Sequence, residues 1–235
     1  MNDQRVAVVL LSGGMDSAVV LAHVVAEGYA VHALSFSYGQ RHGIELDLAR
    51  QLARFYAVAM HKVIALDSSA FQGSALTGDE EVPMDRAEDL QEIPVTYVPA
   101  RNLVFLSLAS AYAESIGARD IFLGVNAVDY SGYPDCRPEF INAFQETVNL
   151  GTRVGVESDR PSIRIHAPLI DMSKADIVRR GAELGVDFGM TSSCYAPQIE
   201  GSFGTPCGRC DACRLRAGGF QEAGLIDAGL KKQEV

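Results

Sequence analysis

Leu11-Ser12-Gly13-Gly14-Met15-Asp16-Ser17 is the stretch from which the rest of this chain is best read. An apolar run, Val6 to Leu11, leads straight into it, and a second, Ala18 to Ala26, leads straight out. The pattern predicts a buried strand, a tight turn and the start of a helix. Two adjacent glycines let the backbone turn sharply and approach a ligand with no Cβ in the way. The unpaired N–H groups of the first helical turn, with Ser12 and Ser17 beside them, converge on one spot that favours an anion. A phosphate or pyrophosphate is the natural guest. The loop is not of the Walker type, whose lysine follows its glycines; here Asp16 stands near that position.

Working outward, Val31–Phe36, Val63–Leu66 and Ile121–Gly124 join Val6–Leu11 as predicted strands. Helical spacing of apolar residues covers Ser17–Glu27, Gly43–Tyr56, Leu103–Ser115, Asp171–Leu184 and Leu215–Ala223. Strands alternating with helices predict βαβ units and a mainly parallel sheet. In such sheets ligands bind outside the carboxyl ends of the strands, where the Ser-Gly-Gly loop falls. Ser68–Pro99 breaks the rhythm and reads as either a binding loop or a solvated surface loop. Asn126–Pro138 reads as a second irregular segment.

With 235 residues the chain can bury a sizeable core in one domain with a small appendage. We place that domain at residues 1–190, the appendage at 191–225 and a polar tail at 226–235. No apolar run approaches the roughly 18 residues of a membrane span, and no basic-then-apolar leader opens the chain, so a cytoplasmic location is expected. The formal net charge of −10 argues against direct nucleic-acid binding, which calls for a basic surface.

Four of the five cysteines crowd one end. Cys207, Cys210 and Cys213 follow a C-x2-C-x2-C spacing, and Cys194 lies upstream. Four thiolates close a tetrahedral shell around Zn²⁺, and a closed shell is structural because it leaves no open position for water. An iron–sulfur cluster needs the same thiols; a redox Cys-x-x-Cys pair would leave two idle. Cys136, flanked by Asp135 and Arg137, is either a nucleophile or a residue lining a pocket. Glu45, Asp47 and Arg50 read as plain helix-surface charge, and His23 as a packed residue within an apolar helix. His42 is a candidate contact to nucleotide or substrate.

Ser-Gly-Gly-x-Asp-Ser resembles the loop of enzymes that split ATP into AMP and pyrophosphate. Four further segments narrow the likeness: Tyr38-Gly39-Gln40-Arg41-His42, Val98-Pro99-Ala100-Arg101-Asn102, Asp129 through Phe140, and the cysteine cluster with Leu215-Arg216. Together they resemble the 7-cyano-7-deazaguanine synthase family of queuosine biosynthesis, from about Val6 to Gly224. The resemblance implies a Rossmann-like α/β fold, adenine nucleotide alpha hydrolase-like, with a mainly parallel sheet, helices on both faces and a C-terminal four-cysteine zinc segment. It implies an ATP-dependent carbon–nitrogen ligase that takes 7-carboxy-7-deazaguanine and ammonia to a nitrile, with Mg²⁺ accompanying ATP, in a homodimer.

Carried onto this chain, the ATP-binding set is Leu11, Ser12, Gly13, Gly14, Met15, Asp16, Ser17, Ala18, Val19, Val20 and Leu21. Asp16, Ser17, Arg101 and Lys174 are the candidate catalytic residues, Asp16 either joining the shell of the magnesium or capping the helix. Tyr133, Asp135, Cys136, Arg137 and Glu139 are the candidate substrate contacts; for the charged ones a surface ion pair is the alternative. Cys194, Cys207, Cys210 and Cys213 are the metal ligands. The interval from Cys194 to Cys207 is longer than the family pattern, so Gln198–Phe203 is expected to bulge as a loop. A tRNA-modifying enzyme of the thiolase or lysidine type is the main alternative, and a non-catalytic nucleotide-binding module a second.

Overall fold

The computed structural model describes residues 5–40, 43–85, 93–127, 132–157, 163–200 and 203–229. Arg41, His42, Asp129, Tyr130, Ser131 and the tail Lys231–Val235 lie outside the described residues. Five parallel strands form the central sheet: β1 (Val6–Leu10), β2 (Ala30–Ser37), β3 (Met60–Ala65), β4 (Asp120–Phe122) and β5 (Arg164–His166). Their order is β3-β2-β1-β4-β5, so β1 is central and fully apolar. Its side chains alternate as a strand requires. Ala7 and Val9 face one core, and Val8 faces the other.

Helices cover both faces. On one side lie α1 (Met15–Ala26), α2 (Ile44–Phe55), α6 (Lys174–Glu183) and α7 (Asp211–Ala223). On the other lie α3 (Arg101–Ile116) and α4 (Pro138–Gly151), followed by a single helical turn, α5 (Arg153–Val156). Helix α1 is buried from Met15 through Val24 except at Asp16 and His23, which explains its nearly unbroken apolar sequence. His23 packs only partly; its ring meets Glu27 one turn on, at 3.4 Å. Ser173 and Asp176 form a reciprocal capping box that starts α6, so this helix begins three residues after the expected Asp171.

Several boundaries differ from expectation for local reasons. Strand β3 starts at Met60, ahead of the predicted Val63, because it is a half-exposed edge strand whose His61 and Lys62 hide the apolar signal. Strand β5 was not foreseen: it is three residues long, with Arg164 exposed at its start. Helix α4 occupies sequence with no predicted element, with Pro138 in its first turn and only Ile141 and Val148 fully buried. The expected bulge at Gln198–Phe203 is instead built on an antiparallel pair, β6 (Gln198–Glu200) and β7 (Phe203–Thr205). Ser68–Pro99 is irregular wherever it is described, apart from one 3₁₀ turn at Ser68–Phe71 and an isolated bridge from Met84 to Cys210.

Candidate active site and four-cysteine centre

Strand β1 ends at Leu10, and the chain turns at Ser12–Gly14 into α1. Gly13 has φ +87°, and a Cβ there would lie 2.3 Å from the backbone oxygen of Glu45. The loop therefore lies directly on the first turn of α2, and only glycine satisfies both conditions. Gly14 caps α1 without any side-chain hydrogen bond. Ser17 Oγ accepts from the Ser12 amide (3.2 Å) and donates to the Gly14 carbonyl (3.0 Å). Ser12 Oγ bonds Ser17 Oγ (3.1 Å) and accepts from the Gly14 amide (3.2 Å). The two serines thus hold the loop's shape, with Ser17 buried and Ser12 exposed.

A cavity of about 290 Å³ opens at the carboxyl ends of β1 and β4. Leu11, Ser12, Gly14, Met15, Asp16 and Ser17 line it, together with Arg101, Lys174, Tyr133, Asp135 and Cys136. Ala18, Val19, Val20 and Leu21 do not: all four are fully buried in the core that anchors α1. Arg137 and Glu139 also fall outside the lining, and both are exposed at the start of α4. Gly13 shapes the loop from beneath.

Asp16 joins two distant parts of the chain. Its Oδ2 accepts from Lys174 Nζ at 2.7 Å and from Asn126 Nδ2 at 3.2 Å. Its Oδ1 is buried and has no hydrogen-bond partner. An orphaned carboxylate oxygen beside the glycine turn suits a hard cation, which takes oxygen ligands. Lys174 is the first residue of α6, so its ammonium reaches the loop from a helix packed on α1.

Opposite the loop, α3 begins in an unusual way. Ala100, its cap, has φ +54°, a left-handed conformation costly for a residue with a Cβ. The Ala100 amide donates to Tyr97 Oη (3.0 Å), and the Asn102 amide donates to Asp135 Oδ2 (2.8 Å). Asp135 therefore caps a helix 33 residues earlier in the chain. Burial pushes its carboxyl above the ordinary aspartate range, against the pull of the Asn102 amide and Arg101. Asn102 Nδ2 also bonds Cys136 Sγ (3.1 Å). Arg101 donates to Tyr38 Oη (3.3 Å). Tyr133 stacks on Tyr97, with ring centroids 5.9 Å apart and planes at 24°.

Sequence reading missed several residues that line or support this cavity. Asn126 and Tyr97 carried no signal beyond their loop positions, and the Ser192 backbone none at all. Glu45, read as surface charge, lines the cavity and is part-buried, whereas Asp47 and Arg50 form the expected exposed pair at 2.6 Å. Burial raises the Glu45 carboxyl to about 7, even with Arg101 opposing the shift.

The four C-terminal thiols meet as their spacing predicts. The Sγ atoms of Cys194, Cys207, Cys210 and Cys213 lie within 4.8 Å of one another. Backbone amides point at the sulfurs: Cys207 N to Cys194 Sγ (3.2 Å), Cys210 N to Cys207 Sγ (3.3 Å) and Tyr195 N to Cys210 Sγ (3.5 Å). Such donors stabilise thiolates bound to a metal, and the separations suit a tetrahedral shell with metal–sulfur bonds of about 2.3 Å. Val82 packs on the cluster, and the Asp85 amide donates to the Arg209 carbonyl at 3.0 Å. Part of Ser68–Pro99 therefore clasps the cysteine knuckle. Arg216 on α7 makes a buried bidentate pair with Asp227 (2.6 and 2.8 Å) and donates to Thr191 Oγ1 (2.8 Å).

A doubly wound parallel sheet, with a glycine turn after its central strand and a cavity at the switch point, defines an adenine nucleotide alpha hydrolase-like protein. Solved structures support that fold. NMN synthetase from Francisella tularensis superposes with a TM-score of 0.50 at 18% identity, over 99% of this chain and 79% of its own. A 4-thiouridine synthetase in complex with RNA and bound ATP gives 0.50 at 18%, over 92% of this chain and 53% of its own. Sequence comparison goes further. The family model for the queuosine biosynthesis protein QueC matches residues 6–224, and the chain belongs to that family. A 7-cyano-7-deazaguanine synthase from Kineococcus radiotolerans is 59% identical over 95% of this chain and 96% of its own length. One from Methylococcus capsulatus is 58% identical over 94% and 96%.

Proposed function

We propose that this chain makes 7-cyano-7-deazaguanine from 7-carboxy-7-deazaguanine, ammonia and ATP. The observation that carries this reading is the shared cavity: the glycine turn with its Asp16–Lys174 pair faces the Arg101–Asp135–Cys136 wall. A carboxylate resists ammonia because it is anionic and would have to expel oxide. Adenylation replaces that oxide with AMP, a far better leaving group. The amides of the glycine turn and the start of α1 hold the outer phosphates, where charge grows as the Pα–O bond breaks. Lys174 and Arg101 supply fixed positive charge on opposite sides of the same space. Ammonia then displaces AMP to give an amide. Nitrile formation removes the remaining oxygen, and a second adenylation in the same cavity activates it.

The Tyr97–Tyr133 stack offers a flat apolar surface for the deazaguanine ring. Asp135 is committed to capping α3, so its part in the site is to fix Arg101 and Asn102. Arg137 and Glu139, exposed outside the cavity, have no part in this scheme. Asp16 Oδ1 would hold magnesium; bound with ATP, the ion neutralises phosphate charge. Cys194, Cys207, Cys210 and Cys213 would hold zinc, which would supply folding energy to residues 191–225, a metal-binding segment seated on the nucleotide domain. Among the described residues no helix is long and apolar enough to cross a membrane. We place the protein in the cytoplasm, where close thiols hold metal rather than form disulfides. The half-exposed edge strand β3, with Met60 and Val63 outward, offers a surface for a homodimer. With a net charge of −10, no direct nucleic-acid contact is assigned.

The test is incubation with 7-carboxy-7-deazaguanine, ammonium, Mg²⁺ and ATP, with mass detection of the product. A nitrile, with AMP and pyrophosphate released, is the expected result; absence of AMP release with this acid overturns the reading.

A further inference from the structure

Glu45 sits where the two halves of the cavity meet. It lies in the first turn of α2, and its backbone oxygen presses on Gly13 of the phosphate loop. Arg101 lines the same cavity and is the charged group that acts on its carboxyl. Arg101 leads into Asn102, which grips Asp135 and Cys136. The residue therefore stands between the turn that receives the phosphates and the wall that faces the acid. Its carboxylate has no hydrogen-bond partner among the described residues. Asp16 is bonded to Lys174, Asp135 caps α3, and Asp47 pairs with Arg50 at the surface, so each nearby carboxylate already has a structural task.

We propose that Glu45 is a further catalytic residue, the base that takes a proton from the ammonia nitrogen as it adds to the acyl adenylate. This rests on the reaction proposed above. The nitrogen lone pair forms the C–N bond while the carbonyl π pair moves onto oxygen, and the nitrogen becomes cationic. One of its protons passes to the Glu45 carboxylate. The oxygen pair then re-forms the C=O bond, and the C–O bond to AMP breaks with its electron pair leaving on the AMP phosphate oxygen. Amide, AMP and protonated Glu45 result, and the carboxyl returns its proton to water before the next cycle. A carboxyl raised by burial to about 7 is matched to this task, because a base works best with its pKa near the operating pH. An ordinary surface glutamate would be a weaker acceptor.

The test separates the two half-reactions. Exchange of labelled pyrophosphate into ATP, dependent on 7-carboxy-7-deazaguanine, reports adenylation; amide and nitrile formation reports nitrogen transfer. Glu45→Gln should lower nitrogen transfer by about 10²-fold or more while exchange stays within about threefold. The wild-type rate at fixed free ammonia should rise with pH through an apparent pKa near 7, and that limb should vanish in the variant. Glu45→Asp, which keeps the carboxylate on a shorter arm, should recover part of the rate and the limb; it serves as the readout should the glutamine variant not fold. Unchanged nitrogen transfer in Glu45→Gln overturns the proposal, as does, should that variant not fold, a Glu45→Asp rate that shows no limb near pH 7; equal loss of exchange and transfer also overturns it, because it would mark a positioning role. Absence of exchange in the wild type would instead overturn the reaction itself.

Discussion

The Ser192 amide donates to the Gly13 carbonyl at 3.1 Å. This hydrogen bond joins the segment that carries the four clustered cysteines to the glycine turn after β1. Cys194 follows two residues later and itself lines the cavity. The four-cysteine centre thus buttresses the glycine turn and the cavity beside it. Arg216 tightens the same link, because α7 holds Thr191 through Arg216 and places Cys213 beside Cys194.

Cys210→Ser should release the metal and loosen ATP. Cys210 is fully buried at the centre of the cluster and bridges to Met84. Loss of the metal frees residues 191–195 and with them the Ser192–Gly13 bond. One such bond is worth about 1 kcal/mol, so ATP affinity should fall roughly fivefold, with a larger fall if the turn itself relaxes. Elemental analysis and calorimetry check both parts; unchanged metal content would refute the closed shell.

Gly13→Ala should abolish nucleotide binding. The added Cβ would meet the Glu45 backbone at 2.3 Å in a left-handed conformation. The clash is with backbone on a packed helix, so the turn must move, at a cost of about 1–3 kcal/mol or more. Thermal denaturation should report the strain, and ATP titration the lost site.

Asp16→Ala should leave the fold standing and remove turnover. The change strips Lys174 of its 2.7 Å partner and deletes the oxygen assigned to magnesium. A loss of about 10²-fold or more in AMP release is expected, with the melting temperature lowered by only a few degrees. Asp16→Asn should behave almost as badly, because an amide restores the shape without the charge. Near-normal AMP release in either variant would remove Asp16 from the chemistry.

Stability should depend on pH through Glu45. Its carboxyl is raised from 4.5 to about 7 in the folded chain, so the native state holds a proton that the unfolded state gives up. The contribution is fully present below pH 4.5 and is lost as pH rises through about 7. Its ceiling is on the order of 3 kcal/mol, less any relief from solvent at this part-buried site. Glu45→Gln should therefore be more stable than wild type at pH 8 and about equal to it near pH 4. Denaturant titrations at the two pH values decide this; parallel profiles would show that burial does not perturb the group.

Much of this architecture could be read before any coordinates. The apolar runs Val6–Leu11 and Ala18–Ala26, the glycine pair between them and the C-x2-C-x2-C spacing are local patterns, and each carries its own physical meaning. Elements without such a pattern escaped. Strand β5 is too short to show a period, β3 is an edge strand with polar side chains, and α4 commits only two residues fully to the core.

From its letters alone, this chain determined a parallel α/β sheet, a glycine turn after its first strand and a cluster of four cysteines. These follow from periodicity, glycine placement and ligand spacing, all of which act between near neighbours. Only the tertiary structure decided which charged groups meet. The Asp16–Lys174 pair spans 158 residues, Asp135 caps a helix 33 residues back, and the first turn of α2, which carries Glu45, lies against the glycine turn after β1. Distance along the chain says nothing about distance in space once helices cross a sheet, so the chemistry of these carboxylates was set by packing.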